Sequence, residues 1–159
     1  MEKYIEIALK EAKKSLKSND VPIGAIIVEN DKIIAKGHNT REKTKDITAH
    51  AEINAIKKAC KKKNTWHLDN CILYVTLEPC QMCLEAIKQA RIKQIFYNAP
   101  QQKKSKMQPP TLTQIENVEN SAKLLKQFFK NKRISKKNSK KQIKNNNITY
   151  FFCGKLWYN

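Results

Sequence analysis

Strand and helix patterns alternate along the middle of this chain, and this alternation constrains its fold more than any other feature. Apolar runs predict strands at residues 23–28, 32–36, 71–76 and 92–97, the first two joined by a tight turn at Asn30-Asp31. Apolar residues at helical spacing predict one helix that begins near Thr48, its N-cap, and another over residues 80–90. This order favours an α/β fold in which helices cover both faces of a sheet.

The two ends of the chain differ in character. The N-terminal segment predicts an amphipathic helix that ends near residue 19, with an apolar set made of Ile5, Ala8, Leu9, Ala12 and Leu16. After the last strand, a loop is expected at residues 98–110, a short strand at 112–115 and a helix over 118–129. We therefore expect one domain at residues 1–133 and a basic C-terminal extension at residues 134–159.

Charge is the most unusual aspect of the composition. The 159 residues carry a formal net charge of +18, which favours a polyanionic partner such as a nucleic acid. The alternative is an AT-rich genome that inflates Lys and Asn without a functional reason. The N-terminus lacks the apolar stretch of a secretory signal, and no segment approaches the roughly 20 apolar residues of a membrane helix. A soluble, cytoplasmic protein without a membrane partner is expected.

Two short motifs contain most of the residues suited to catalysis. His50-Ala51-Glu52 and Pro79-Cys80-Gln81-Met82-Cys83 each begin a predicted helix, where unpaired backbone amides favour thiolates. A Cys-x-x-Cys pair can occupy two adjacent positions around zinc, and His50 would be the third ligand. Three protein ligands leave the fourth position to water, as in catalytic zinc sites. Glu52, two residues from His50, would then transfer protons.

Other uses of the cysteines have to be weighed. The chain has five of them, an odd number with no export signal, so a disulfide framework is not expected. The Cys-x-x-Cys pair could be a redox pair, or half of a structural zinc site completed by Cys60, Cys71 or His67. The combination of His-x-Glu with Pro-Cys-x-x-Cys favours the open site, because this pattern is the signature of zinc-dependent nucleobase deaminases.

The chain resembles the tRNA-specific adenosine deaminases of the cytidine deaminase superfamily. The resemblance extends to about residue 133 and rests on the segments Val21-Pro22-Ile23-Gly24-Ala25, Asn39, Asp46-Ile47-Thr48-Ala49-His50-Ala51-Glu52-Ile53, Leu73-Tyr74-Val75-Thr76-Leu77-Glu78-Pro79-Cys80-Gln81-Met82-Cys83, Arg91 and Leu124-Leu125-Lys126-Gln127-Phe128-Phe129. It implies a three-layer α/β/α sandwich with a central mixed sheet, a homodimer, and hydrolytic conversion of the wobble adenosine of a tRNA anticodon stem-loop to inosine.

The same resemblance implies roles for single residues. It assigns His50, Cys80 and Cys83 to one Zn²⁺ per subunit and Glu52 to proton transfer. Asn39 would read the purine edge and Val21 would pack on the base, although Asn39 is equally suited to a turn after Gly37. Backbone amides near Leu77 and Glu78 would orient the base.

The sequence departs from this family after the last predicted strand. The family continues with Gly-Ala-x-Asp and a long loop, whereas this chain has Asn98-Ala99-Pro100-Gln101 and a shorter one. Lys103, Lys104 and Lys106 could supply phosphate contacts instead. Two other functions therefore stay open: a deaminase of a free base or nucleoside such as guanine or cytosine, and an RNA-binding protein that keeps zinc only for folding.

Overall fold

The computed structural model describes residues 2–101, 130, 131, 133 and 134. The chain divides into two compact units, Met1–Met107 and Gln108–Asn159. In the second unit the described residues, Lys130, Asn131, Arg133 and Ile134, are helical. The strand predicted at 112–115, the helix at 118–129 and the basic extension beyond residue 134 lie outside the described residues, and the domain boundary after residue 133 stays a prediction.

The first unit is built on a mixed four-stranded sheet. Its strands are β1 (Gly24–Glu29), β2 (Lys32–His38), β3 (Cys71–Leu77) and β4 (Gln94–Ala99), in the order β2-β1-β3-β4. β1 pairs antiparallel with β2 and with β3, whereas β3 and β4 are parallel. The predicted strands are confirmed, and β4 extends to Ala99, so the loop expected from residue 98 begins after that strand.

The helices lie on both faces of the sheet, as the predicted α/β/α sandwich requires. They are α1 (Glu2–Ala12), the short α2 (Arg41–Thr44), α3 (Ala51–Lys63) and α4 (Gln81–Gln89), and a 3₁₀ helix, Lys13–Ser18, follows α1. One apolar cluster joins α1 to the sheet through Tyr4, Ala8, Ile26, Val28 and Tyr74. A larger cluster on the opposite face includes residues of α3 and α4. Among the described residues, no helix is long and apolar enough to cross a membrane.

The hairpin between β1 and β2 forms for a local reason. Asn30 and Asp31 have φ angles of 48° and 59°, in the left-handed region that Asn and Asp tolerate better than most residues. Two such residues give the turn that matches the twist of the flanking strands. Glu29 consequently pairs with Lys32, and the register brings Gly24 opposite His38.

The apolar stripe predicted for the first helix is wrong at two positions. Leu9 is 42% exposed and Leu16 is 60% exposed, whereas Glu11 and Ser15 are buried. The buried positions Tyr4, Ala8, Glu11 and Ser15 keep the spacing of a single helix face, and Leu9 and Leu16 lie outside that face. Glu11 and Ser15 face inward because each hydrogen bonds to the end of β2, Glu11 to His38 and Ser15 to Asn39.

The N-cap predicted for α3 is also wrong. The helix begins at Ala51, and His50 occupies the N-cap position that was expected at Thr48. The hydroxyl and backbone N–H of Thr48 instead donate to the carboxylate of Asp46, at 2.7 and 2.8 Å. A local Asx turn therefore uses the side chain that was expected to cap the helix.

Gly37 allows α3 to approach β2 closely. A Cβ atom at this position would overlap the carbonyl oxygen of Ala51 and the backbone nitrogen of Ala55. Because the contact atoms belong to the helix backbone, they cannot move aside as a flexible side chain would. The glycine thus brings the first turn of α3 against the strand that ends one residue before Asn39.

Candidate active site

His50 and Cys80 occupy equivalent positions in two different helices. His50 is the N-cap of α3 and Cys80 the N-cap of α4, and both have extended backbones, with φ of −71° and ψ of 157° and 168°. Their carbonyl groups accept the first hydrogen bonds of the helices, from Asn54 and Leu84, at 2.9 Å each. Cys83 follows within the first turn of α4. The starts of two helices therefore bring three metal-binding side chains together.

The distances within this group fit a zinc ion. The Nδ1 atom of His50 lies 3.6 Å from Sγ of Cys80 and 3.5 Å from Sγ of Cys83. Tetrahedral zinc with ordinary Zn–S and Zn–N bond lengths would separate a nitrogen and a sulfur ligand by about 3.6 Å. The three ligand atoms all lie within 4.8 Å of one another. The predicted ligands thus have the spacing that zinc requires.

The other predicted candidates for metal ligands do not join this group. Among the described residues, no fourth His, Cys, Asp or Glu shares the cluster of His50, Cys80 and Cys83. Cys60 and Cys71 are elsewhere in the fold, where burial raises the pKa of each thiol, and the ring of His67 stacks on Trp66 at 3.8 Å. Within residues 2–101, the structure therefore gives no support to a closed structural site.

The electrostatics of the site favour a bound cation. Burial raises the pKa of the Cys83 thiol, and the nearby groups of Glu52 and Cys80 raise it further. The helix N-terminus, which was expected to favour the thiolate, is therefore not sufficient for Cys83. Ionising both thiols beside the Glu52 carboxyl would place like charges next to one another, and a positive ion would balance them. The donor set consequently fits a divalent metal.

Glu52 lies beside the cluster in the first turn of α3. Its side chain is buried, with 4% of the residue exposed. Burial raises the pKa of this carboxyl, although its own backbone N–H, the Cys83 side chain and the charge of His50 each act to lower it. A carboxyl with a raised pKa exchanges protons more readily near neutral pH than an exposed one. Glu52 and Cys83 each shift the pKa of the other, so the carboxyl of Glu52 lies next to the metal-binding group.

A cavity of about 220 Å³ lies next to His50 and contains two of the predicted substrate-binding residues. Its lining residues are Asn19, Val21, Ile23, Asn39, Arg41, Glu42 and His50. Val21 is 63% exposed at the cavity, whereas Asn39 is 6% exposed. The Asn39 side chain donates to the carbonyl of Val21 at 3.1 Å and accepts from the N–H of Arg41 at 3.3 Å. Asn39 is therefore held in a fixed position beside the metal-binding group.

Leu77 and Glu78 lie where β3 ends, just before Pro79 and Cys80. The backbone N–H of Glu78 donates to the carbonyl of Ala99 at 2.8 Å, so this amide is not free to orient a base as predicted. The Glu78 carboxylate and carbonyl both accept from Gln101, at 3.0 Å each. Gln101 lies where the sequence departs from the tRNA deaminases, and these bonds attach that segment to the end of β3.

The sequence analysis missed several polar residues around the cavity. Asp20 is buried and accepts from the Glu42 N–H at 2.5 Å and from Ser18 at 2.6 Å, which holds α2 next to the segment that carries Val21. Asn54 makes three contacts from within α3. The sequence offered one signal for Asn54, which is that Asn has a low helix propensity. An Asn within a predicted helix therefore suggests that its side chain makes specific hydrogen bonds.

Comparisons with known proteins agree with the fold and the site. Residues 1–99 match the family described as the cytidine and deoxycytidylate deaminase zinc-binding region. The protein therefore belongs to the cytidine and deoxycytidylate deaminase family, whose metal is zinc. The predicted family resemblance is confirmed, and so is zinc as the cofactor.

Two relatives show the extent of the similarity. The tRNA-specific adenosine deaminase of Aquifex aeolicus is 42% identical over 141 residues, which cover 81% of this chain and 93% of that protein. The tRNA-specific adenosine deaminase of Bacillus subtilis is 47% identical over 98 residues, 62% of this chain and 61% of that protein.

Two solved structures are about equally similar to this chain. A guanine deaminase from Bacillus subtilis has a TM-score of 0.60 and 45% identity, and the match covers 62% of this chain and 64% of that one. A structure from a study of A-to-I editing by tRNA:A34 deaminases at the wobble position has a TM-score of 0.60 and 43% identity, over 62% and 75% of the two chains. The fold alone therefore does not distinguish a free base from a tRNA substrate.

Proposed function

We propose that this protein is a zinc-dependent hydrolase that converts the wobble adenosine of a tRNA anticodon loop to inosine. The reaction class is supported by one observation above all: His50, Cys80 and Cys83 have zinc-ligand spacing, with the buried carboxyl of Glu52 beside them. The substrate is supported by the similarity to the Aquifex aeolicus enzyme, which covers 93% of that protein.

The metal site and the carboxyl have separate roles in this proposal. His50, Cys80 and Cys83 hold the ion. When bound, zinc supplies a Lewis acid that makes water a nucleophile near neutral pH. Glu52 accepts a proton from the attacking water and donates it to the purine ring nitrogen; it then accepts the remaining proton of the newly added hydroxyl group and donates it to the amino group, which leaves as ammonia. Water and adenosine are consumed, and inosine and ammonia are formed.

The cavity residues bind the base in this proposal. Asn39 forms hydrogen bonds to the purine edge, and the exposed side chain of Val21 packs against the ring. Leu77 lies at the end of β3 that leads to Cys80, where its backbone can help to orient the base. Such a pocket cannot accept a base that is stacked in a duplex, so the substrate is an unstacked nucleotide of a loop.

The charge of the protein is consistent with a tRNA partner. A net charge of +18 favours binding to phosphates, which gives affinity without base specificity. Specificity for adenosine then has to come from the cavity.

We also infer a cytoplasmic location and a homodimer. The exposed apolar side chains of Met82 and Leu84 on α4 are suited to a dimer interface. Light scattering after size-exclusion chromatography would measure the mass in solution.

The second candidate function is deamination of free guanine, which the similarity to the Bacillus subtilis guanine deaminase favours. The two functions are separated by incubating the zinc-loaded protein with an anticodon stem-loop and, in parallel, with free guanine. Nucleoside analysis measures inosine in the RNA, and ammonia release measures guanine turnover. Inosine formation without guanine turnover is expected, and the reverse result would replace the tRNA proposal with the second function.

A further inference from the structure

Asn54 makes an unusual set of contacts for a residue in the first turn of a helix. Its Nδ2 atom lies 2.9 Å from the carbonyl oxygen of His38, 3.1 Å from Oγ1 of Thr40 and 3.2 Å from the carbonyl oxygen of Ala49. Carbonyl oxygens only accept hydrogen bonds, so the NH₂ group and not the amide oxygen faces these atoms. The side chain of Asn54 is therefore a donor to segments that precede α3.

The partners of Asn54 are the immediate neighbours of two site residues. His38 and Thr40 lie on either side of Asn39, and Ala49 directly precedes His50. The carbonyl of Ala49 also accepts from the N–H of Thr40 at 3.0 Å. The side chain of Asn54 thus hydrogen bonds to the backbone next to Asn39 and to the backbone next to His50.

The remaining contacts of Asn39 come from other parts of the fold. Its N–H donates to the carbonyl of Ile23 at 3.0 Å, and its carbonyl accepts from Ser15 at 2.8 Å. These bonds hold Asn39 against the 3₁₀ helix that follows α1 and against the residue before β1, neither of which carries a metal ligand. The contacts of Asn54 relate Asn39 to His50, because α3 begins directly after His50 and the N–H of Asn54 donates to the His50 carbonyl at 2.9 Å.

We propose that Asn54 is a positioning residue that sets the position of Asn39 relative to His50. With this spacing, the Asn39 amide and the metal held by His50 can act on the same bound base. The inference rests on the proposed function, because it takes Asn39 as the residue that reads the purine and His50 as a zinc ligand. Asn54 touches neither the base nor the metal, and it acts through the backbone of its neighbours. Its removal therefore weakens base discrimination more than general RNA binding.

The test compares the binding of two anticodon stem-loops, one with adenosine and one with uridine at the wobble position. Asn54→Leu removes the donor at similar volume, and Asn54→Gln retains an NH₂ group on a longer side chain. Asn70→Leu is the matched control, since Asn70 is exposed in the turn before β3, at the end of that strand opposite Glu78. Each variant is combined with Glu52→Ala, so that the adenosine RNA is bound without being converted.

The expected result is a loss of discrimination at constant zinc content. Asn54→Leu lowers the affinity ratio between adenosine and uridine RNAs by about tenfold, while affinity for the uridine RNA changes little. Asn54→Gln retains more of the ratio than Asn54→Leu, and Asn70→Leu retains all of it. In proteins with intact Glu52, kcat/KM for the adenosine stem-loop falls in the same order.

Two results would overturn the inference. One is an unchanged affinity ratio in Asn54→Leu, or in Asn54→Gln if the leucine variant does not fold. The other is an equal loss of affinity for both RNAs together with a lower melting temperature or zinc content, which is the behaviour of a purely structural residue. Wild-type protein is assayed first: if it forms no inosine, the proposed function fails and this inference fails with it, whereas inosine formation by wild type isolates the outcome for Asn54.

Discussion

The Nδ1 atom of His38 lies 3.1 Å from a carboxylate oxygen of Glu11, and this contact joins α1 to the strand that ends beside Asn39. Lys14 donates to the other oxygen of the same carboxylate at 2.6 Å. Burial alone would raise the pKa of Glu11, but the hydrogen bonds and charges of Lys14 and His38 lower it below its ordinary value of 4.5. The ionised form of Glu11 therefore stabilises the fold next to the cavity.

Substitution of Glu11 should produce a pH-dependent loss of stability. Because the folded pKa is lowered, the contribution of Glu11 is present above its unfolded pKa and is lost as the pH falls through the folded pKa. At pH 7 we expect Glu11→Gln to lower the free energy of unfolding by about 1–2 kcal/mol, since charge-assisted hydrogen bonds become neutral ones. Urea unfolding at pH 7 and at a series of lower pH values measures the difference.

The control for Glu11 is Glu6→Gln, an exposed carboxylate on the same helix. Its effect on the free energy of unfolding should be small at every pH. A difference between wild type and Glu11→Gln that is constant from pH 7 to about pH 3 would contradict the assigned direction of the pKa shift.

Glu52→Ala should abolish deamination without removing zinc. The carboxyl is the proposed proton carrier, but it is not among the three residues with ligand spacing. Loss of a general acid and base lowers rates by about 10²–10⁴-fold. Inosine formation and zinc content per chain are measured on the same sample. Glu85→Ala, at an exposed position of α4, is the control and should retain activity; turnover by Glu52→Ala would exclude Glu52 from the mechanism.

Cys80→Ser should lose both zinc and activity, whereas Cys60→Ser should retain them. Cys80 belongs to the ligand group, and Cys60 lies outside it. Wild-type protein is expected to hold about one zinc ion per chain, measured by elemental analysis. Because a bound metal stabilises the folded state, a chelator should lower the melting temperature of wild type and have no further effect on Cys80→Ser. Equal zinc loss in Cys60→Ser would argue for a structural site.

Deletion of residues 135–159 should weaken tRNA binding at low salt. The deleted segment includes Lys136, Lys137, Lys140, Lys141 and Lys144. If these lysines contact phosphates, the deletion lowers affinity and makes its dependence on salt concentration shallower. Binding is titrated at several salt concentrations with full-length and shortened protein. Unchanged affinity at low salt would show that the extension does not contribute to RNA binding.

The predicted site residues that the structure brings together are those encoded over short distances in the sequence. His50, Glu52, Cys80 and Cys83 belong to two short motifs, and the strands around them have clear apolar patterns. Neither motif needs knowledge of distant contacts, because a metal site defines its own geometry. The candidate metal ligands and the candidate proton carrier could consequently be predicted before the fold was known.

The polar residues that hold the site in place could not be predicted from such short motifs. Glu11 contacts a residue 27 positions away, Asp20 one 22 positions away, and Asn54 one 16 positions away. A pattern of apolar residues cannot indicate such pairs, since it assigns polar side chains to the surface by default. Leu9 and Leu16 were placed on the buried stripe of the first helix for the same reason, in place of Glu11 and Ser15.

Because His50 and Cys80 begin helices that precede and follow β3 in the chain, neither helix holds a complete metal site. A chain emerging from the ribosome cannot assemble the three ligands until Cys83 has been synthesised and β3 has paired with β1. A chain that ends before Cys83 therefore lacks part of the ligand set, and zinc can be bound by all three ligands only after the first turn of α4 has been made.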